Sequence, residues 1–208
     1  MHHTPRFPWP IAVFVAAYLL GFGGLAVMQG NREFIFYLVV MFVLIGMVYA
    51  VHLRVGFSLA VLWLLAVWGL LHLAGGTVHV PTGLADGENP RPVLYALRPW
   101  ARLPRYDQVT HAFGFFTATL ASAEALLAAT RPARVAIGFA SAAALMGIGF
   151  GALNEVIEFI AVRTLPETNV GGYDNTGWDL VSNSVGAALG GLVVLAKRKT
   201  GPGPEPSA

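Results

Sequence analysis

The sequence predicts an all-α fold, a polytopic membrane helix bundle of about six transmembrane helices with two long outward-facing loops. Three observations predict it. Hydrophobic residues make up 56% of the 208 residues and charged residues only 12%, about half the charge of an ordinary soluble domain. Mean hydropathy is +0.64. The apolar residues also fall in long runs, near the ~20 residues a helix needs to cross a hydrocarbon core of ~30 Å.

The elements follow in chain order. After Met1 to Pro10 an apolar run gives the first span, 11–29. It is longer than a signal-peptide core and no small-x-small cleavage site follows it, so it is expected to be retained. The second and third spans, 34–52 and 57–74, carry Leu, Val, Phe and Trp all round and are expected to face lipid. Residues 75–106 then hold Pro81, Pro90, Pro92, Pro99 and Pro104, which forbid a continuous helix. In that loop Val93 to Leu97 and Trp100 alternate with Arg91, Arg98, Arg102 and Arg105, as in an amphipathic stretch lying among lipid headgroups.

Spans four to six, 109–129, 133–160 and 178–196, are richer in Ala and Gly, with Gly147-Ile148-Gly149-Phe150-Gly151 and Gly186-x-x-x-Gly190. Small residues let helix backbones approach closely, so these spans are expected to form the packed centre. Residues 161–177 form a second loop, polar and Gly-rich, and 197–208 a short disordered end. The whole chain, 1–208, reads as a single membrane domain without internal repeats.

Orientation comes from the short connections. Arg6, Arg54, Arg131, Arg134, Lys197, Arg198 and Lys199 share one side, against Arg32 and Arg163 on the other. Basic residues favour the cytoplasm, which predicts both termini cytoplasmic in a bacterial inner membrane, and both long loops outside. The formal charge of +2 is scattered, which does not favour nucleic acid as a partner. Cysteine is absent, so disulfides, thiolate metal sites and Cys nucleophiles are excluded. There is no P-loop and no nucleophile elbow.

Ionisable residues within spans are costly and usually functional. They are His72 on the third span, His111 on the fourth, Glu155 and Glu158 on the fifth and Asp179 on the sixth, with His79 and Asp107 just outside. At 1.5 Å per residue, His72 lies about 27 Å from Arg54, His111 about 30 Å from Arg131, Glu155 about 31 Å from Arg134 and Asp179 about 27 Å from Lys197. Four helices therefore lift a titratable side chain to one level near the outer boundary. Asp107 with His111, Asn154 with Glu158 and Asp179 with Asn183 are each four apart and share a helix face.

Each residue alone has a structural reading. Asp107 and Thr176-x-x-Asp179 fit helix caps, His72 fits an interfacial histidine, and Arg163 is available to Glu158. His52 and Glu124, towards the other side, receive no role.

Histidine with carboxylates and no thiolate suits a divalent metal, Zn, Mn or Fe, in a nitrogen and oxygen shell. The candidate ligands are His72, His79, Asp107, His111 and Glu155. Glu158 or Asp179 would act as general base, with Asn183 on the Asp179 face. At that level the fitting substrate is a lipid or a lipid-linked phosphate or sugar.

The run Thr168 to Leu180, with Asn175-Thr176-Gly177-Trp178-Asp179 at its heart, together with Tyr106-Asp107-x-x-x-His111 and Asn154-Glu155-x-x-Glu158-Phe159, resembles the YjdF-like family of predicted bacterial inner-membrane proteins. The resemblance spans most of the chain and implies a location rather than a reaction. A more distant likeness is to VanZ-like proteins, through Asp107 with His111, Glu155, and Asp179, Asn183 and Gly186; it departs from them at Gln108 and Glu158 and implies an envelope role. Three readings stand together: a metal-assisted hydrolase or transferase at the outer leaflet, a transporter or proton-coupled carrier, and a non-catalytic scaffold. A carrier would place charge nearer the bilayer midplane, which favours the first. Oligomeric state is not legible.

Overall fold

The computed structural model describes residues 8–86, 91–132 and 134–197. Arg6, Arg198, Lys199 and the expected disordered end beyond Lys197 lie outside the described residues, as does Pro90. Six helices are long and apolar enough to cross a membrane: α1 Trp9–Met28, α2 Arg32–Val55, α3 Leu59–Thr77, α4 Tyr106–Thr130, α5 Ile137–Thr164 and α6 Tyr173–Lys197. Among the described residues there is no strand.

Local chemistry sets the ends. Pro10 stands in the first turn of α1, where its missing N–H costs nothing. The Asn31 side chain accepts from Phe34 N at 3.1 Å and caps α2, which stops at Gly56 in a left-handed turn with φ 72°; glycine meets that conformation without strain. Ser58 caps α3 through Val61 N, and the Glu124 carboxylate accepts from both Ser58 N and Ser58 Oγ, at 2.8 and 2.6 Å. Glu124 thus ties α4 to the start of α3. Leu165 ends α5 in an extended conformation immediately before Pro166, which disfavours helix at the residue ahead of it.

Helix boundaries depart from expectation most around α5 and α6. The fifth helix runs on to Thr164, and the sixth starts at Tyr173, so the connection between them shrinks to 165–172. Glycines 171 and 172 read as loop, yet only Gly177 falls within the helix. Gly171 packs so tightly on Asn175 that a Cβ there would lie 2.4 Å from the Asn175 Cβ.

The long connection differs more. It is not one amphipathic stretch but a folded clasp on the bundle. Antiparallel bridges pair His79 with Val93 and Ala85 with Leu97, and short 3-10 turns occupy Thr82–Leu84 and Leu94–Ala96. Val93 and Ala96 are fully buried. The Tyr95 ring fills the space over Gly75, where any Cβ would collide with it.

Helices α4, α5 and α6 share the most extensive packing. Glycines make it possible: a Cβ on Gly186 would sit 1.9 Å from the Ala112 carbonyl oxygen, one on Gly190 2.8 Å from the Thr119 Cβ, and one on Gly151 2.9 Å from the Asn183 Cβ. The expected division between lipid-facing and central helices needs one exchange. Helix α3 is as buried as α4 and α6, because it packs on both α1 and α4, whereas α5 is as exposed as α2.

The two ends of the bundle differ in chemistry. Towards the termini and the short turns, an apolar block of Ile11, Phe57, Val61, Leu62, Leu120 and Val194 fills the interior. The opposite end carries the clasp, residues 29–31 and residues 165–172. They are stitched by Gln29 Nε2 to Thr77 O and Asn31 Nδ2 to Gly76 O, both at 3.0 Å, and by Asn169 N to Glu33 Oε2 at 2.8 Å. We call this end the loop face.

Candidate metal centre

The His111 imidazole, buried in the second turn of α4, is the hub of the polar residues. Its Nδ1 lies 3.0 Å from Asn183 Oδ1 and 3.6 Å from Glu155 Oε1; its Nε2 lies 3.4 Å from Asp107 Oδ1 and 3.6 Å from Glu158 Oε1. Carboxylates from α4 and α5 thus flank both nitrogens, while α6 supplies Asn183. That amide also donates to Glu155 Oε1 at 3.3 Å. Asn154 Nδ2 donates to Glu158 Oε1 at 2.7 Å; Arg163, five residues further on, does not share the face of Glu158 and makes no ion pair with it.

Asp179 completes the group from α6. Asn175 Nδ2 donates to its Oδ2 at 2.5 Å, and Arg105 Nη2 donates to Asn175 Oδ1. Asp179 is fully buried in the second turn of α6, so it is not the cap that Thr176-x-x-Asp179 allowed. Asp107 is not the cap of α4 either: Gln108 Oε1 takes the Arg105 N–H at 2.9 Å, leaving Asp107 to His111.

Two overlapping trios could each hold a metal ion, with one ligand atom per residue lying within 4.8 Å of the others: Asp107, His111 and Asp179; and His111, Glu155 and Glu158. The charges need compensation, by protons or by a cation. Four carboxylates surround one imidazole, and Arg105 reaches them only through Asn175. Glu155 Oε2 and Asp179 Oδ1 are buried without a hydrogen-bond donor among the described residues. Buried charge persists only when paired, protonated or coordinating a metal.

The structure brings together Asp107, His111, Glu155, Glu158, Asp179 and Asn183. It does not bring in the other two expected ligands. His79 follows the end of α3, where the backbone turns extended into the bridge with Val93. Its exposed ring lies 3.4 Å from Gln29 Nε2, on the rim of the loop face. His72 is close to the centre but closed off from it. Its ring stacks on Trp68, with centroids 5.5 Å apart, and meets Tyr37 edge-on. Its Nδ1 lies 2.5 Å from the Tyr95 hydroxyl. The void between His72 and His111 is about 10 Å³, at the lower limit for one water.

Burial pushes the Tyr95 phenol well above its ordinary value, so Tyr95 stays protonated and shares a hydrogen bond with His72 Nδ1. The clasp thereby holds the ring of a histidine that backs the centre. Tyr95→Phe leaves that nitrogen without its partner, and a loss of about 1–3 kcal/mol of stability is expected. Thermal unfolding of the detergent-solubilised protein measures it, and an unchanged midpoint would remove Tyr95 from this role.

Asn175 opens the Asn-Thr-Gly-Trp-Asp run that carries the family resemblance, but neither it nor Tyr95 was assigned a role at the site. Asn175 stands four residues before Asp179, the same spacing that linked Asp179 to Asn183. It was hidden because the Gly-rich stretch read as loop. Tyr95 had no signal of its own.

A family model described as "Predicted membrane protein (DUF2238)" matches residues 10–200. No curated protein and no solved structure matches the chain.

Proposed function

We propose, for a chain that belongs to the DUF2238 family of predicted membrane proteins, the YjdF-like group it resembles, that the cluster around His111 is a divalent-metal centre at the outer leaflet. It would hydrolyse or transfer groups on lipid-linked substrates, in a bacterial inner membrane with both termini cytoplasmic. The carrying observation is the pair of donorless buried oxygens, Glu155 Oε2 and Asp179 Oδ1, in a cluster of four acids about one imidazole.

His111, Asp107 and Asp179 would hold the ion, with Glu155 beside them on the Nδ1 side of His111. Asn183 orients two of them at once, through His111 Nδ1 and Glu155 Oε1. Asn175 orients Asp179, and Arg105 holds Asn175 in turn. Such outer partners fix ligand geometry and tautomer. A bound ion of this class supplies Lewis acidity and makes water acidic enough to attack near neutral pH. Glu158 is the group that would take the proton, because Asn154 occupies Oε1 and leaves the carboxylate its remaining lone pairs.

The position of the acids favours this reading over a carrier. They gather at the loop face, while the other half of the interior is the apolar block around Val61 and Leu120. A carrier places its site near the midplane. The test is metal analysis of protein purified from membranes beside Glu155→Gln. Stoichiometric Zn, Mn or Fe in the native chain, reduced in the variant, is expected; a metal-free native chain that retains cellular activity sinks the proposal.

A further inference from the structure

A groove of about 430 Å³ runs between α4 and α6 beside the centre. Its floor is the contact of Ala112 with Gly186, whose missing side chain lets the two backbones meet. Half-exposed Val109, Val181 and Val185 and the Trp178 ring, 59% exposed, form its walls. Arg98 and Arg102 stand at its loop-face end, and no carboxylate lines it. Arg98 is engaged, by Asp86 Oδ2 at 2.6 Å and Leu103 O at 2.8 Å. Arg102 is exposed and carries no ion pair among the described residues.

A second cavity on the loop face has the opposite character. It measures about 310 Å³, and Arg32 and Arg91 line it together with Glu33 and Glu167. Arg91 pairs with Glu167 at 3.8 Å, and Glu33 accepts from Asn169 N. Its charges are balanced. The α4/α6 groove instead joins an apolar trough to a guanidinium, Arg102, that has no ion pair among the described residues.

We propose that this groove berths one anionic phospholipid of the leaflet on the loop face, with the phosphate on Arg102 and one acyl chain along Val109, Val181 and Val185. A free phosphate would leave the trough unfilled. A zwitterionic lipid would bring an ammonium group to a rim of arginines. A guanidinium matches phosphate oxygens with paired donors, and hydrocarbon fits the valine walls. Gln108, in the groove wall, directly follows Asp107 in the first turn of α4. The lipid head would therefore stand on the helix face next to the centre. That it feeds the centre rests on the function proposed above; that the groove binds an anionic lipid does not.

The test uses the full chain in detergent, incubated with phosphatidylglycerol or phosphatidylethanolamine and analysed by native mass spectrometry. One retained phosphatidylglycerol is expected, favoured over phosphatidylethanolamine by about fivefold, the factor that ~1 kcal/mol per basic residue at a membrane surface supplies. Arg102→Gln should abolish that preference, and Arg102→Lys should keep part of it. Equal retention of both lipids by the native chain overturns the proposal, as does an unchanged preference in Arg102→Gln. Metal content is measured on the same samples. A native chain without lipid preference but with metal bound defeats the groove alone, whereas a metal-free native chain with the preference intact defeats the centre alone.

Discussion

His111→Ala is expected to empty the centre of metal, the largest effect of any single substitution in the cluster. Both trios that could hold an ion include His111. Removing Glu158 breaks one of them and removing Asp179 breaks the other, so Glu158→Gln and Asp179→Asn should each retain part of the affinity. The imidazole is also the only nitrogen donor of the set, and without it the remaining oxygens favour harder ions such as Mg²⁺ or Ca²⁺ over Zn²⁺. Asn183→Ala, which removes a partner rather than a ligand, should weaken binding by about 10–100-fold; His111→Ala should exceed that. Elemental analysis after purification, with circular dichroism to show an intact bundle, measures both. Full Zn²⁺ content in a folded His111→Ala protein would mean that the carboxylates bind without the hub.

Gly186→Ala is expected to have the largest effect on stability. One added methyl would come within 1.9 Å of the Ala112 carbonyl oxygen. That obstacle is backbone, so no rotamer change relieves it. Overpacking of this kind costs about 1–3 kcal/mol, and more where the neighbour cannot move. Because α4 carries His111 and α6 carries Asp179, parting them should loosen the metal as well. Gly24→Ala is the control, since nothing stands within 4 Å of a Cβ there. Thermal denaturation in detergent should show a clear fall in midpoint for Gly186→Ala and almost none for Gly24→Ala. Equal midpoints would mean that the helices can separate at Gly186 without cost.

Much of this architecture can be read from the chain because the bilayer allows few solutions. Uninterrupted apolar runs and the prolines between them mark the helices, and the rise per residue brings His111, Glu155 and Asp179 to one level without any knowledge of packing. Depth alone does not decide which way a side chain faces. His72 sits at the right level, yet Trp68, Tyr37 and Tyr95 enclose it, and the Tyr95 contact depends on how a distant clasp folds back. His79 lies away from the centre for a related reason: its position depends on a bridge to Val93, fourteen residues on. Asn175 is the instructive case. Helix propensity discounts a stretch rich in glycine, but the tight fit of Asn175 on Gly171 and the link from Arg105 to Asp179 are tertiary, and they extend α6 by more than a turn beyond its apolar run.

The hydrocarbon plug around Ile11, Phe57, Val61, Leu62 and Val194 has a bioenergetic consequence. Moving one elementary charge through 100 mV is worth ~2.3 kcal/mol, so any continuous wet path would short-circuit the membrane that houses it. This plug would insulate the acids at one rim from the opposite compartment. Vesicles reconstituted with the protein should hold an imposed pH gradient as long as empty ones, as a fluorescent pH dye would report, and its overproduction should leave the cell's proton battery charged.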